Sequence, residues 1–176
     1  MEGITNLETT GPVIFILNHQ NSLDTVGIQI CAVTSLAIFY VNIIIAIGCY
    51  FCDCIFTSRT SKRFSGQRAL EKCVQSLKND KSIIIFPEGT RSNENKLLPF
   101  RKGAFSLSLL THVKIQPVVI QKYKQIDHKN HVFGRGQVKV KILPKMDFIE
   151  YETVENYMQR AHNLMSHEFH KLNNIV

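Results

Sequence analysis

The first 58 of the 176 residues contain no lysine or arginine and only four acids, Glu2, Glu8, Asp24 and Asp53. All 21 basic residues fall after that point, against ten acids, so the segment 59–176 carries +11 while the whole chain carries +7. Such an asymmetry suits an anionic partner: nucleic acid, the phosphates of a coenzyme, or an acidic membrane surface. The bases are interleaved with apolar elements and no groove-reading or RNA-type aromatic motif accompanies them, which argues against nucleic acid. A disulfide framework is also missing. The five cysteines are odd in number, and Cys49, Cys52 and Cys54 crowd one apolar stretch, a pattern that fits a reducing compartment. The opening MEGITNLETTGP has neither a basic start nor an apolar core, so a secretory signal is not expected.

There is no internal repeat and no biased linker. With 44% hydrophobic and 20% charged residues, disorder and collagen-like repeats are excluded and one packed domain over 1–176 is expected. One long uncharged region runs between Asp24 and Asp53, with LAIFYVNIIIAIGCYFC from Leu36 to Cys52 as its most apolar part. At about 17 residues it stands at the short limit for crossing a bilayer, so a span, an interfacial segment and buried core all remain open.

Short apolar runs alternate with amphipathic ones. Val13–Leu17 (VIFIL) reads as a buried strand, Ser82–Phe86 (SIIIF) as another ended by Pro87, and Ile115–Ile120 as a third. Gln137–Leu143 alternates as VKVKIL and should turn one side to water, and HKNHVFGRG before it reads as a loop. Leu70, Cys73, Val74 and Leu77 fall on one face of a helix over 65–77, 100–110 fits another, and Ser22 is placed to cap a third through Val26, Ile30 and Val33. A stripe from Val154 through Tyr157, Ala161 and Met165 to Leu172 marks a long C-terminal helix. The alternation implies an α/β layered domain, a mixed, mostly parallel sheet flanked by helices.

Two polar segments follow strands, where α/β sheets present reactive groups. In NHQNSLD, Asn18–Asp24, a tight turn would fold Asp24 onto one ring nitrogen of His19 and leave the other as a general base. The same residues also suit a histidine ending a strand and an aspartate at a helix N-terminus. In FPEGTRS, Phe86–Ser92, Gly89 permits close backbone approach, Thr90 offers a hydroxyl and Arg91 a planar fork for a phosphate, although a plain surface turn has the same composition. Three other patterns lead elsewhere. The Cys49/Cys52 pair has no second CxxC, HEFH at 167–170 is one residue short of a zinc box, and Phe133–Gly136 leads into a strand rather than a helix, so no metal is expected and His162, His167 and His170 read as a solvated helix face.

NHQNSLD, FPEGTRS and the following LPFRKGAF together resemble the glycerolipid acyltransferase family, specifically the 1-acylglycerol-3-phosphate (lysophosphatidate) acyltransferases, over essentially the whole chain. The resemblance implies transfer of a fatty acyl group from acyl-CoA to the free hydroxyl of lysophosphatidate, with acyl-CoA as co-substrate and no cofactor. It makes His19 the base, Asp24 its orienting partner, and Glu88, Gly89, Thr90 and Arg91 the acceptor-phosphate loop. Pro117 falls in the block linked to acyl-donor binding or site shape. Where the family commonly has GxIFIDR this chain has DCIFTSR, keeping Ile55, Phe56 and Arg59, and Arg59 is expected to reach the acceptor phosphate. The basic residue often found ahead of a YVP-like segment is absent before IFYVN, and Lys114 and Gln116 replace the usual proline and apolar residue.

Further expectations follow from the family: a membrane surface as partner, no obligate protein partner, and the endoplasmic reticulum with the site facing the cytosol. The chain is expected to lack the N-terminal membrane region of longer relatives. Other readings stand beside this one: a catalytically impaired lipid-binding relative, an acyltransferase or transacylase acting on another lysophospholipid, and a hydrolase using the same His-Asp pair with water.

Overall fold

The computed structural model describes residues 2–7, 11–20, 64–123, 126–127, 132–134 and 136–174. The helix expected from Ser22, the apolar run Leu36–Cys52 and the DCIFTSR block lie outside the described residues. A 3-10 turn at Ile4–Asn6 precedes β1 (Ile14–Leu17), α1 (Phe64–Lys78), β2 (Ile83–Ile85), α2 (Gly103–Thr111), β3 (Ile115–Ile120), β4 (Ile126–Asp127), β5 (Val132–Phe133), β6 (Val140–Ile142) and α3 (Val154–Asn173).

The strands form a sheet in the order β2-β1-β3-β6. β1 is parallel to both neighbours, with Ile14 opposite Ile83 and Ile115, and β6 closes the other edge antiparallel, with Ile142 opposite Val118. The sheet is therefore mixed and mostly parallel, as the alternation of elements implied. Strands buried on both faces read as unbroken apolar runs, and all six residues of β3 are buried.

The period-two alternation of side chains divides the core. Ile14, Ile16, Ile115 and Val119 face one way and meet Leu77 of α1, Ala104, Phe105 and Leu107 of α2, and Tyr157, Ala161, Met165 and Phe169 of α3. Leu17, Val118, Ile120 and Ile142 face the other way, joined by Phe15, Phe86, Val138 and Val140. Phe105 and Tyr157 touch edge to face, 5.5 Å between ring centres, and the Tyr157 hydroxyl donates to Met146 O at 2.8 Å. Burial pushes that phenol's pKa up.

Four details differ from expectation. β2 is an edge strand among the described residues, with Ile84 43% exposed, because it pairs only with β1; an apolar run does not reveal which side lacks a neighbour. β6 spans three residues, and its Lys141 faces α3 rather than water, where Nζ meets Glu168 Oε2 at 2.6 Å; register places Lys141 opposite Val119, on the helix-covered face. The segment expected as a loop contributes β5, which pairs with β4 through Phe133 and Ile126. His162 is packed, not solvated: its ring stands edge-on to Phe100 at 4.8 Å, since it flanks the buried stripe, next to Ala161 and three residues before Met165. No described helix is long and apolar enough to cross a membrane.

The approach to α3 carries an ion pair. Thr153 caps the helix by accepting from Asn156 N at 3.2 Å, and Arg160 grips Glu152 through two bonds of 3.0 and 2.8 Å. The Arg160 bond holds the Glu152 carboxyl below its ordinary range. Its folded pKa is thus lower than its unfolded one, so the pair stabilises the fold above the usual carboxylate range and loses that contribution as pH falls through it. Glu152→Gln is expected to lower stability at pH 7 by about 0.5–1 kcal/mol and to have little effect near pH 3, measured as denaturant midpoints across pH; equal losses at both pH values would contradict this origin.

Candidate active site

β1, β2 and β3 run parallel, so Leu17, Ile85 and Ile120 end at the same margin of the sheet. Pairing by backbone stops at Leu17 and Val118, and the next residue replaces it with a side chain. Asn18, fully buried, accepts from Ile120 N through Oδ1 at 2.7 Å and donates Nδ2 to Ile120 O at 3.0 Å. Gln20 adds Nε2 bonds to Ile120 O at 2.9 Å and Gln121 O at 3.3 Å. Two amide side chains thereby clamp the turn to the end of β3, with His19 between them.

His19 is half-buried and its ring stacks on Phe86, 4.1 Å between centres and 24° from parallel. An aromatic face beneath the imidazole fixes the ring plane and leaves the ring edge for polar contacts. Both backbone groups of His19 are bonded across to the second loop. Its N–H donates to Glu88 Oε1 at 2.8 Å, and its carbonyl accepts from Ser92 N at 2.9 Å. The His19 N–H is therefore committed and is not a free donor for a developing oxyanion; that component, if drawn from the NHQNS turn, must use another amide.

The second loop is built around Glu88, only 4% exposed. Its other oxygen accepts from Leu98 N at 2.9 Å, so one carboxylate joins the His19 turn to the segment that precedes α2. Burial raises the Glu88 pKa, opposed by those two amides. The loop is closed by Gly89 N to Phe86 O at 3.1 Å and Arg101 N to Pro87 O at 2.8 Å. Gly89 adopts φ +68°, a conformation that favours glycine, and the Arg101 side chain passes over it, with Nε 2.5 Å from where a Cβ would stand. Gly89, Thr90 and Arg91 are exposed above the buried carboxylate.

The expected site residues are thus partly brought together. His19 is cross-bonded to Glu88 and Ser92, which brings the Gly89, Thr90 and Arg91 segment to the His19 turn. Glu88, placed by the resemblance in the phosphate-contacting set, instead turns both oxygens inward onto backbone amides. Pro117 is buried within β3 opposite Ile16; its carbonyl accepts from Leu143 N at 2.9 Å just beyond the β6 ladder, which is where a residue without an N–H is tolerated. Asp24 and Arg59 lie outside the described residues. Sequence reasoning overlooked Asn18, Gln20, Phe86 and Arg101. The signal was available for the first two, since amide residues placed directly after a buried strand need partners for every polar atom.

A family model described as Acyltransferase matches residues 1–121. A putative 1-acyl-sn-glycerol-3-phosphate acyltransferase, acl-2, of Caenorhabditis elegans is 30% identical over 149 residues, covering 80% of this chain and 52% of the relative. The 1-acyl-sn-glycerol-3-phosphate acyltransferase of Saccharomyces cerevisiae is 36% identical over 146 residues, covering 75% and 46%. Among solved structures, the crystal structure of the 1-acyl-sn-glycerophosphate (LPA) acyltransferase PlsC from Thermotoga maritima superposes with a TM-score of 0.73 at 27% identity, covering 97% of this chain and 70% of that one. The chain spans about half the length of these two curated relatives. With the family model matching well over half of its residues and a strand-end histidine tied to the EGTR loop, this chain belongs to the Acyltransferase family.

Proposed function

We propose that this protein transfers a fatty acyl group from acyl-CoA to the free hydroxyl of lysophosphatidate, giving phosphatidate, at a membrane surface. The observation that carries the reading is the pair of bonds from the His19 backbone to Glu88 and Ser92, which ties the exposed Gly89–Arg91 segment to the His19 turn. The names of the relatives supply the acceptor.

In this reading His19 takes the hydroxyl proton as the acceptor oxygen attacks the thioester carbonyl. The C–S bond of the tetrahedral intermediate then breaks, and the departing thiolate takes the proton back from the imidazolium as free CoA. Asp24 orients the ring, Thr90, Arg91 and Arg59 hold the acceptor phosphate, Pro117 shapes the sheet beneath, and neither metal nor acyl-enzyme is required. The basic surface of 59–176 and the Leu36–Cys52 run provide membrane contact, and acyl-CoA availability favours the cytosolic side of the endoplasmic reticulum.

Purified protein in detergent with acyl-CoA and lysophosphatidate is expected to release CoA and form phosphatidate in equal amounts. Release of CoA without phosphatidate would indicate a hydrolase, preference for another lysolipid would replace the acceptor, and binding without turnover would leave a lipid-binding relative.

A further inference from the structure

Among the described residues, several cations already have a carboxylate. Lys102 bonds Glu155, Lys96 lies 3.8 Å from Glu94, Lys114 reaches Asp147 at 2.9 Å, and Arg160 holds Glu152. Arg101 differs. It is exposed, and its guanidinium has no hydrogen bond or ion pair among the described residues. The acid closest to it along the second loop, Glu88, is turned inward onto His19 N and Leu98 N and so is taken.

Its backbone is nevertheless anchored. The Arg101 N–H donates to Pro87 O at 2.8 Å, anchoring the residue to the loop. The side chain then crosses Gly89 so closely that Nε, Cδ and Cζ would lie 2.5, 2.8 and 2.8 Å from a Cβ on that glycine. The backbone at Gly89 adopts a conformation open to glycine, and the space a side chain would fill is occupied by a guanidinium stem. The guanidinium stem thus lies across the EGTR segment, with no carboxylate partner among the described residues. A phosphate monoester carries close to two negative charges near neutral pH and three acceptor oxygens, more than one guanidinium satisfies.

We propose that Arg101 is a phosphate-binding residue of this site, acting with Arg91 as the second cation for a phosphate monoester. The inference rests on the acyltransferase reading for which substrate brings that group: the lysophosphatidate headgroup, or the 3′-phosphate of the coenzyme.

The test compares wild type with Arg101→Ala and Arg101→Lys, each first checked for an unchanged melting temperature. Removing a charge-assisted fork is expected to raise KM about tenfold or more for the substrate that supplies the phosphate, with kcat within about twofold, and lysine is expected to restore part of the loss. A rise confined to lysophosphatidate assigns the headgroup, and one confined to acyl-CoA assigns the coenzyme. Direct binding keeps the inference separate from turnover. Wild-type protein is expected to bind lysophosphatidate in detergent micelles at least tenfold more tightly than monoacylglycerol, and Arg101→Ala to erase most of that difference. If turnover is absent while this discrimination depends on Arg101, the enzymatic reading fails and the phosphate site stands. Unchanged KM values for both substrates together with unchanged discrimination overturn the site.

Discussion

Replacing His19 by alanine is expected to lower kcat by about 10³- to 10⁴-fold, the upper part of what a positioned general base contributes. The acceptor hydroxyl is a poor nucleophile until its proton has somewhere to go, and the His19 imidazole offers a ring nitrogen that can accept that proton and return it. KM for both substrates should change little, because the residues proposed to hold the phosphate lie on the neighbouring loop. Stability should change little as well. The turn is held by the Asn18 and Gln20 side chains and by the peptide groups of residue 19, all of which alanine keeps, and the half-buried ring stacks on Phe86. Release of CoA at more than a tenth of the wild-type rate by a well-folded His19→Ala protein would remove the histidine from the chemistry.

Glu88 should produce the second large effect, and for a different reason. Its carboxylate lies between His19 N and Leu98 N, residues 69 and ten positions away. Glu88→Ala leaves two peptide N–H groups in a buried place without acceptors, which costs about 2–4 kcal/mol of stability. Glu88→Gln is the sharper probe. It keeps the shape and one acceptor but points an NH₂ at a peptide N–H, a repulsive pairing that shifts either the His19 turn or the Leu98 segment. Misplacing a catalytic group by about 1 Å can cost about 10²-fold, so kcat should fall by at least tenfold while KM for lysophosphatidate stays within about twofold. A carboxylate that met the acceptor would behave in the opposite way, changing KM first. Full kcat with an altered acceptor KM in Glu88→Gln would return Glu88 to the substrate-contacting set.

The contrast between the two residues explains what could be read in advance. β1, β3, α1 and α3 follow from local pattern, because unbroken Val/Ile/Leu runs and i, i+3, i+4 spacing report burial directly. The strand-end position of His19 and the glycine at 89 were legible for the same local reason. The inward turn of Glu88 was not, since nothing near residue 88 shows that two amides, one of them 69 residues earlier, lack acceptors. Lys141 misled in a similar way. A lysine in an alternating strand normally marks the wet side, but Glu168 on α3 meets it across the helix-covered face. The place of Arg101 across Gly89 leaves no local signal in the sequence.

The bonds that assemble the catalytic margin join a side chain on one partner to peptide groups on the other: Asn18 to Ile120, Glu88 to His19 and Leu98. A peptide group is the same whatever residue owns it. Drift at 98 or 120 among apolar types therefore leaves the architecture intact, whereas positions 18 and 88 each admit almost one chemical solution. The instructions for the reaction centre are concentrated in a handful of letters, and the apolar sequence around them can diverge widely while the centre keeps its form.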